Sequence, residues 1–286
     1  MAHLIMAYKD PAQLERLVRK MSHPQFDFYI HVDSKFDMAP FEYLGQIKGV
    51  YIIKNRIKIR WAGYSFTQGV LNCIEEVLNS GRQYDFISCM SGQDYPVVST
   101  DIFYSFFEKQ PGRNFLAIEE FGSEWWKRAA IRIHRYHMTD FDFKGRYAVQ
   151  SFLNAILPQR NFPMGYTLYG SERATWWTIT SECAAYLLKF MKEHPKMRRF
   201  SKFTWAADEF LLPTLIMNSP FKETVVAENY RYIDWSQGGS NPKILTVNDF
   251  EALKKTDKLL ARKFDIKVDT QILDLLDEIT NASSKP

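Results

Sequence analysis

Short apolar runs alternate with amphipathic stretches through residues 1–120, and this alternation constrains the fold more than any other feature of the chain. Residues 4–8 read as a strand closed by Asp10-Pro11. Pro11 opens a helix that sets Leu14, Leu17, Val18 and Met21 on one face. Further strands are expected at 26–32, 50–53, 84–90 and 115–118. Helices are expected at 65–78 and, from a Ser99 or Thr100 cap, through Phe107. Strand–helix alternation of this kind implies right-handed crossovers and an α/β fold, a mostly parallel central sheet flanked by helices. Such sheets bind ligands beyond the carboxyl ends of their strands. Asp33 and the loop 91–96 lie at such ends.

Residues 121–170 are irregular, aromatic and basic, and read as the substrate-facing part. A strand is expected at 174–179. Helices are expected from Ser181 or Glu182 through Met191, over 207–217, and over 270–279. Gly238-Gly239 marks a tight turn or mobile loop. No repeat or linker-like composition shift divides the chain, so a single domain over residues 1–286 is expected.

Lys and Arg number 37 against 33 Asp and Glu, a net charge of +4. That is too small to point to a nucleic-acid surface, although the basic and aromatic stretch 126–147 has that look. Cys73, Cys89 and Cys183 are odd in number and widely spaced, which suits a reducing compartment. No apolar run approaches the ~20 residues of a membrane span. With Met1 read as a natural start, a cytoplasmic protein is expected.

The common phosphate-loop, dinucleotide, zinc-protease and serine-hydrolase motifs are absent. His134, His137 and Asp140-Phe141-Asp142 imitate a metal site. They follow the strongly basic run 132–136, however, where cations would oppose metal binding, so a surface loop is the expected reading. Asp208-Glu209 follows Trp205-Ala206-Ala207 at a helix start, where a carboxylate is favoured by the dipole alone. The apolar neighbours Trp205, Phe210, Leu211 and Leu212 would also raise the pKa of Glu209 and improve it as a general base. Arg262-Lys263 sits between Leu259-Leu260 and Phe264. It reads either as a solvated pair or as two fixed cations suited to a diphosphate leaving group.

Six segments converge in order: His31-Val32-Asp33-Ser34-Lys35, Arg60-Trp61-Ala62-Gly63-Tyr64-Ser65, Ser91-Gly92-Gln93-Asp94-Tyr95-Pro96, Asp208-Glu209-Phe210, Arg231-Tyr232-Ile233-Asp234-Trp235 and Ala261-Arg262-Lys263-Phe264-Asp265. Together, over about residues 3–270, they resemble the core-2/I-branching glycosyltransferases. That family includes mucin-type β-1,6-N-acetylglucosaminyltransferases and peptide O-xylosyltransferases. The resemblance implies a GT-A-type nucleotide-sugar-binding fold and inverting, metal-independent transfer from a UDP-sugar, with no other cofactor. Residues 1–120 would be the nucleotide-binding half and 121–286 the acceptor-binding and catalytic half. Glu209 would be the base. Asp33, Lys35, Trp61, Ser240, Arg262 and Lys263 would hold the donor, and Trp235 and Trp177 the acceptor. GlcNAc and xylose are the expected sugars, with a glycan, glycolipid or peptide as acceptor and peripheral membrane association through that acceptor. Animal members carry a Golgi anchor, stem and disulfides; none of these is expected of this chain, and a compact bacterial relative is the expected reading. The wording around Arg262 and Ser240 is nearer the xylosyltransferase branch. Glu172-Arg173-Ala174-Thr175 stands as extra sequence between Gly170-Ser171 and Trp176-Trp177. The rival reading is a sugar-binding pseudoenzyme.

Overall fold

In a computed structural model describing residues 1–282, β1 (Ala2–Ala7) is fully buried and occupies the middle of the molecule. Side chains alternate across a strand. Leu4 and Met6 therefore join one apolar core, while Ile5 and Ala7 join the other on the opposite face. The helix α1 (Pro11–Lys20) covers the second face with Leu14, Leu17 and Val18, and Pro11 sits in its first turn, where a missing N–H costs nothing. The strands β2 (Asp27–Val32) and β3 (Val50–Ile52) run parallel to β1 on one side. The helix α2 (Tyr64–Leu78) covers the first face, and β4 (Phe86–Ser91) runs parallel on the other side of β1.

The loop expected at 91–96 contains a further strand, β5 (Asp94–Pro96), because Asp94 turns the chain back through hydrogen bonds from the Ser91 backbone N–H and hydroxyl. The helix α3 (Thr100–Glu108) is capped by Ser99, whose hydroxyl accepts from the Ile102 N–H. The short β6 (Asn114–Phe115) replaces the longer strand expected at 115–118.

The irregular middle holds β7 (Glu119–Glu120), α4 (Glu124–Ala129), α5 (Ile131–His134), α6 (Arg146–Ile156) and β8 (Tyr169–Gly170). Next come β9 (Thr178–Thr180), shorter than the 174–179 strand expected, and α7 (Ser181–Glu193), capped by the Thr180 hydroxyl. The helix α8 (Pro195–Lys202) follows. The helix expected over 207–217 is broken. A single 3-10 turn spans Ala207–Glu209, and α9 (Leu211–Met217) starts anew after Phe210. Pro213 explains the break: it has no N–H to give the Glu209 carbonyl, and that carbonyl accepts from the Ser171 N–H at 3.0 Å instead.

The chain ends with β10 (Val225–Val226), β11 (Arg231–Ile233), α10 (Phe250–Lys255), β12 (Leu260–Arg262) and α11 (Gln271–Ala282). The central sheet has the order β10-β6-β9-β4-β1-β2-β3 and is mostly parallel, with β9 antiparallel to both its neighbours. A small second sheet, β11-β12-β5, lies beside the carboxyl end of β4. The buried Arg231 fastens it there, donating to the Cys89 carbonyl at 2.9 Å and the Ser88 hydroxyl at 3.1 Å. Among the described residues, no helix is long and apolar enough to cross a membrane.

Candidate active site

A cavity of about 740 Å³ opens at the carboxyl ends of β1, β2 and β4, and is closed by the 60–63 loop, the Trp125–Arg132 stretch and the 235–242 loop. Asp33 follows β2, and its backbone N–H continues the ladder to the Ala7 carbonyl at 2.9 Å. Its carboxylate accepts from the Lys35 and Ile59 N–H groups at 3.0 and 3.3 Å and pairs with Lys35 Nζ at 3.1 Å. The chain after β2 is further tied by Arg56, which donates to the Val32 and Phe36 carbonyls. Asp33 and Lys35 therefore stand at one wall in a fixed turn.

Arg262 ends β12, directly opposite Asp94 of β5, so the two cations expected from sequence as either solvated or fixed are fixed by a strand. Its Nε donates to Asp94 at 3.0 Å, and its guanidinium lies 4.3 Å from the centre of the Trp176 ring. Asp94, whose side chain is fully buried, is thus the counter-charge that holds Arg262 in the cavity wall. Lys263 lines the same wall. Burial, with Arg262 and Lys9 nearby, lowers its pKa, and among the described residues no carboxylate pairs with it. Ser240 lies in the Gly238-Gly239 loop on the cavity rim. Trp235 beside it carries a buried Nε1–H with no hydrogen-bond partner.

Glu209 lines the same cavity as these cations. Ala206, in a left-handed conformation, is anchored by its N–H to the Ala62 carbonyl at 2.7 Å and turns the following residues inward. Gly170 makes the close approach possible: a Cβ there would lie 2.7 Å from the Glu209 carbonyl oxygen. Burial raises the Glu209 pKa to about 7, with Asp208 and Glu172 adding to the rise and Arg132 opposing it. Arg132 pairs with the Glu209 carboxylate and is itself held between the Trp125 and Trp205 rings, 5.5 and 5.0 Å from its guanidinium. The neighbouring Asp208 is engaged by the Thr175 hydroxyl at 2.7 Å, and burial raises its pKa also.

Of the nine residues singled out from sequence, eight line this cavity. Trp61 does so from an exposed loop, 63% accessible. Trp177 does not: it is 2% exposed in the core beneath, and its carbonyl accepts from the Cys89 N–H at 2.8 Å. Its neighbour Trp176 is the one that reaches the cavity. Arg132 was missed, since in sequence nothing separates it from Arg128 or Arg135 in the same basic run.

The pair Asp140 and Asp142 has a different task. Asp140 accepts from the Ser65 N–H and hydroxyl at 3.0 and 2.6 Å, capping α2, and Asp142 pairs with Lys58 and Arg60. The rings of His134 and His137 each meet a backbone carbonyl. Asp140 and Asp142 thus brace the 58–65 loop that carries Trp61.

A model of the Core-2/I-Branching enzyme family matches residues 1–255. The chain belongs to that family. Curated relatives of this core-2/I-branching chain include xylosyltransferase 2 of dog and of human, each 25% identical over 289 residues, and Drosophila melanogaster xylosyltransferase oxt, 24% identical over 291. In each case 93% of this chain aligns with 32% of the relative, so the core-2/I-branching chain spans about a third of their length. A solved structure, mouse xyloside xylosyltransferase 1 in its apo form, aligns over 91% of this chain and 97% of its own at 10% identity and a TM-score of 0.39. That likeness carries no weight here.

Proposed function

We propose that this core-2/I-branching glycosyltransferase moves xylose or N-acetylglucosamine from a UDP-sugar to a hydroxyl of a glycan, glycolipid or peptide. On this reading the fold is of GT-A type, the transfer inverts the anomeric centre, and no metal takes part. The observation that carries it is that Glu209, whose pKa burial pushes up to about 7, lines one cavity with Arg262 and Lys263.

In the proposed reaction the uridine lies at Asp33 and Lys35, and the diphosphate at Arg262, Lys263 and Ser240. The acceptor sugar lies over Trp235, with its hydroxyl toward Glu209. Glu209 takes the hydroxyl proton as that oxygen attacks the anomeric carbon from the face opposite UDP. The carbon–oxygen bond to UDP breaks through an oxocarbenium-like state, and the departing charge is met by two cations already in place. Lysine and arginine here supply what a divalent ion would supply elsewhere. Xylose is supported by the names of the relatives and by the wording around Ser240 and Arg262. The buried free thiols Cys73, Cys89 and Cys183 support a reducing, cytoplasmic setting.

A panel of UDP-sugars, assayed for UDP release with and without sugar acceptors, tests the reading. UDP-xylose or UDP-GlcNAc should be turned over at an undiminished rate in excess chelator. Binding of UDP without turnover of any donor would favour the pseudoenzyme. Loss of activity in chelator, restored by Mn²⁺, would overturn metal independence.

A further inference from the structure

The helix α6 packs very little of itself against the protein. None of its residues is buried, and it reaches the body mainly through Gln150 and Asn154, which bond the backbone of Met138 and Tyr136. One side carries Val149, Phe152 and Ile156, at i, i+3 and i+7, while Tyr147 lies on another. Phe152, Tyr147 and Ile156 are 62, 61 and 59% exposed. No charged residue occurs between Arg146 and Arg160. A free surface helix places charges outward, so this face is built for contact with something apolar.

The surroundings are cationic. Lys144 precedes the helix, Arg135 adjoins Tyr136, whose backbone bonds Asn154, and α8 presents exposed Lys196, Arg199 and Lys202. The helix α8 joins the same ridge: its following residue Phe203 stacks on Phe141 at 5.0 Å and accepts at its carbonyl from the His137 N–H. None of these five cations takes part in an ion pair among the described residues. The nearest acidic residues in the segment, Asp140 and Asp142, are spent on the 58–65 loop.

We propose that α6 and its cationic flank form a docking surface for an anionic lipid membrane, with Val149, Phe152 and Ile156 entering the headgroup region. Protruding aromatic and aliphatic tips with a lysine and arginine border are what a peripheral helix uses there. A second copy of the chain fits less well, because pairing α6 with α6 would bring borders of the same sign together. The inference is independent of which sugar the cavity takes.

Vesicle co-sedimentation tests it, comparing phosphatidylcholine alone with phosphatidylcholine containing about a third phosphatidylglycerol. The wild type should bind the anionic vesicles, and high salt should weaken that binding. The double variant Phe152→Glu, Ile156→Glu should bind at least about tenfold more weakly. Because both side chains are exposed, its thermal midpoint should stay unchanged. Lys196→Glu, Lys202→Glu should lose the salt-sensitive part alone. No binding to anionic vesicles, or equal binding by wild type and the Glu variant, would overturn the proposal. So would a wild-type dimer that the Glu variant dissolves, which would give the face to a second copy.

Discussion

Glu209 owes its raised pKa chiefly to burial, and Arg132 restrains the rise. Only the ionised carboxylate accepts a proton, so transfer should increase with pH through about 7 and level off above it. Arg132→Gln removes the charge that favours the ionised form. The acidic limb of the pH–rate profile should therefore move to higher pH, with several-fold loss near neutrality; an unmoved limb would separate Arg132 from the base. In the same cavity, Lys263→Ala should weaken UDP by about ten- to a hundredfold, the scale of a charge-assisted hydrogen bond. Uridine, which lacks the phosphates, should bind both proteins alike, and equal losses for both ligands would assign Lys263 to the fold. Glu209, Arg262 and Lys263 were legible in the sequence because charged residues stand there among apolar ones. Trp177 was misplaced because neighbouring residues in extended chain face opposite sides, and Trp176-Trp177 gives no hint of which faces in. The counter-charge role of Asp94 depends on β12 pairing with β5 across more than 160 residues of chain, which no local pattern reveals.

At the level of elements, the 58–65 loop shows how a motif with a familiar chemical look can be structural. Ser65 accepts from the Arg60 N–H at 2.8 Å and donates to Asp140, so a relay of hydrogen bonds runs from the α2 cap to the loop bearing Trp61. Asp140→Ala should cost about 1 kcal/mol of stability, as loss of a helix cap does, and should raise the KM for the donor by loosening Trp61. Thermal denaturation and a donor titration check both, and unchanged values would remove the bracing role. Apart from β5, the strands and helices of residues 1–108 were legible to within a few residues, the strands as short apolar runs and the helices by their period. The short strands β6 and β9 and the break at Phe210 were not. Their limits are set by partners distant in sequence, such as the bond from Ser171 to Glu209.

Across the whole molecule, the parallel strands deliver Asp33 and Ser91 to the cavity, and the segments after residue 120 deliver Arg132, Glu209 and Trp235. The regular half and its ligand-facing edge follow from periodicity. The irregular half is held by side chain–backbone bonds, such as those of Arg160 to the Arg135, Phe200 and Phe203 carbonyls, and these have no sequence period. The central claim is that one carboxylate in this cavity takes the proton from the acceptor. Its most direct test is the transfer rate of Glu209→Gln, measured beside its affinity for UDP. The account predicts a rate at least about 100-fold lower, the scale of general-base catalysis, with UDP bound as tightly as by the wild type. Near-normal transfer by that variant would contradict it.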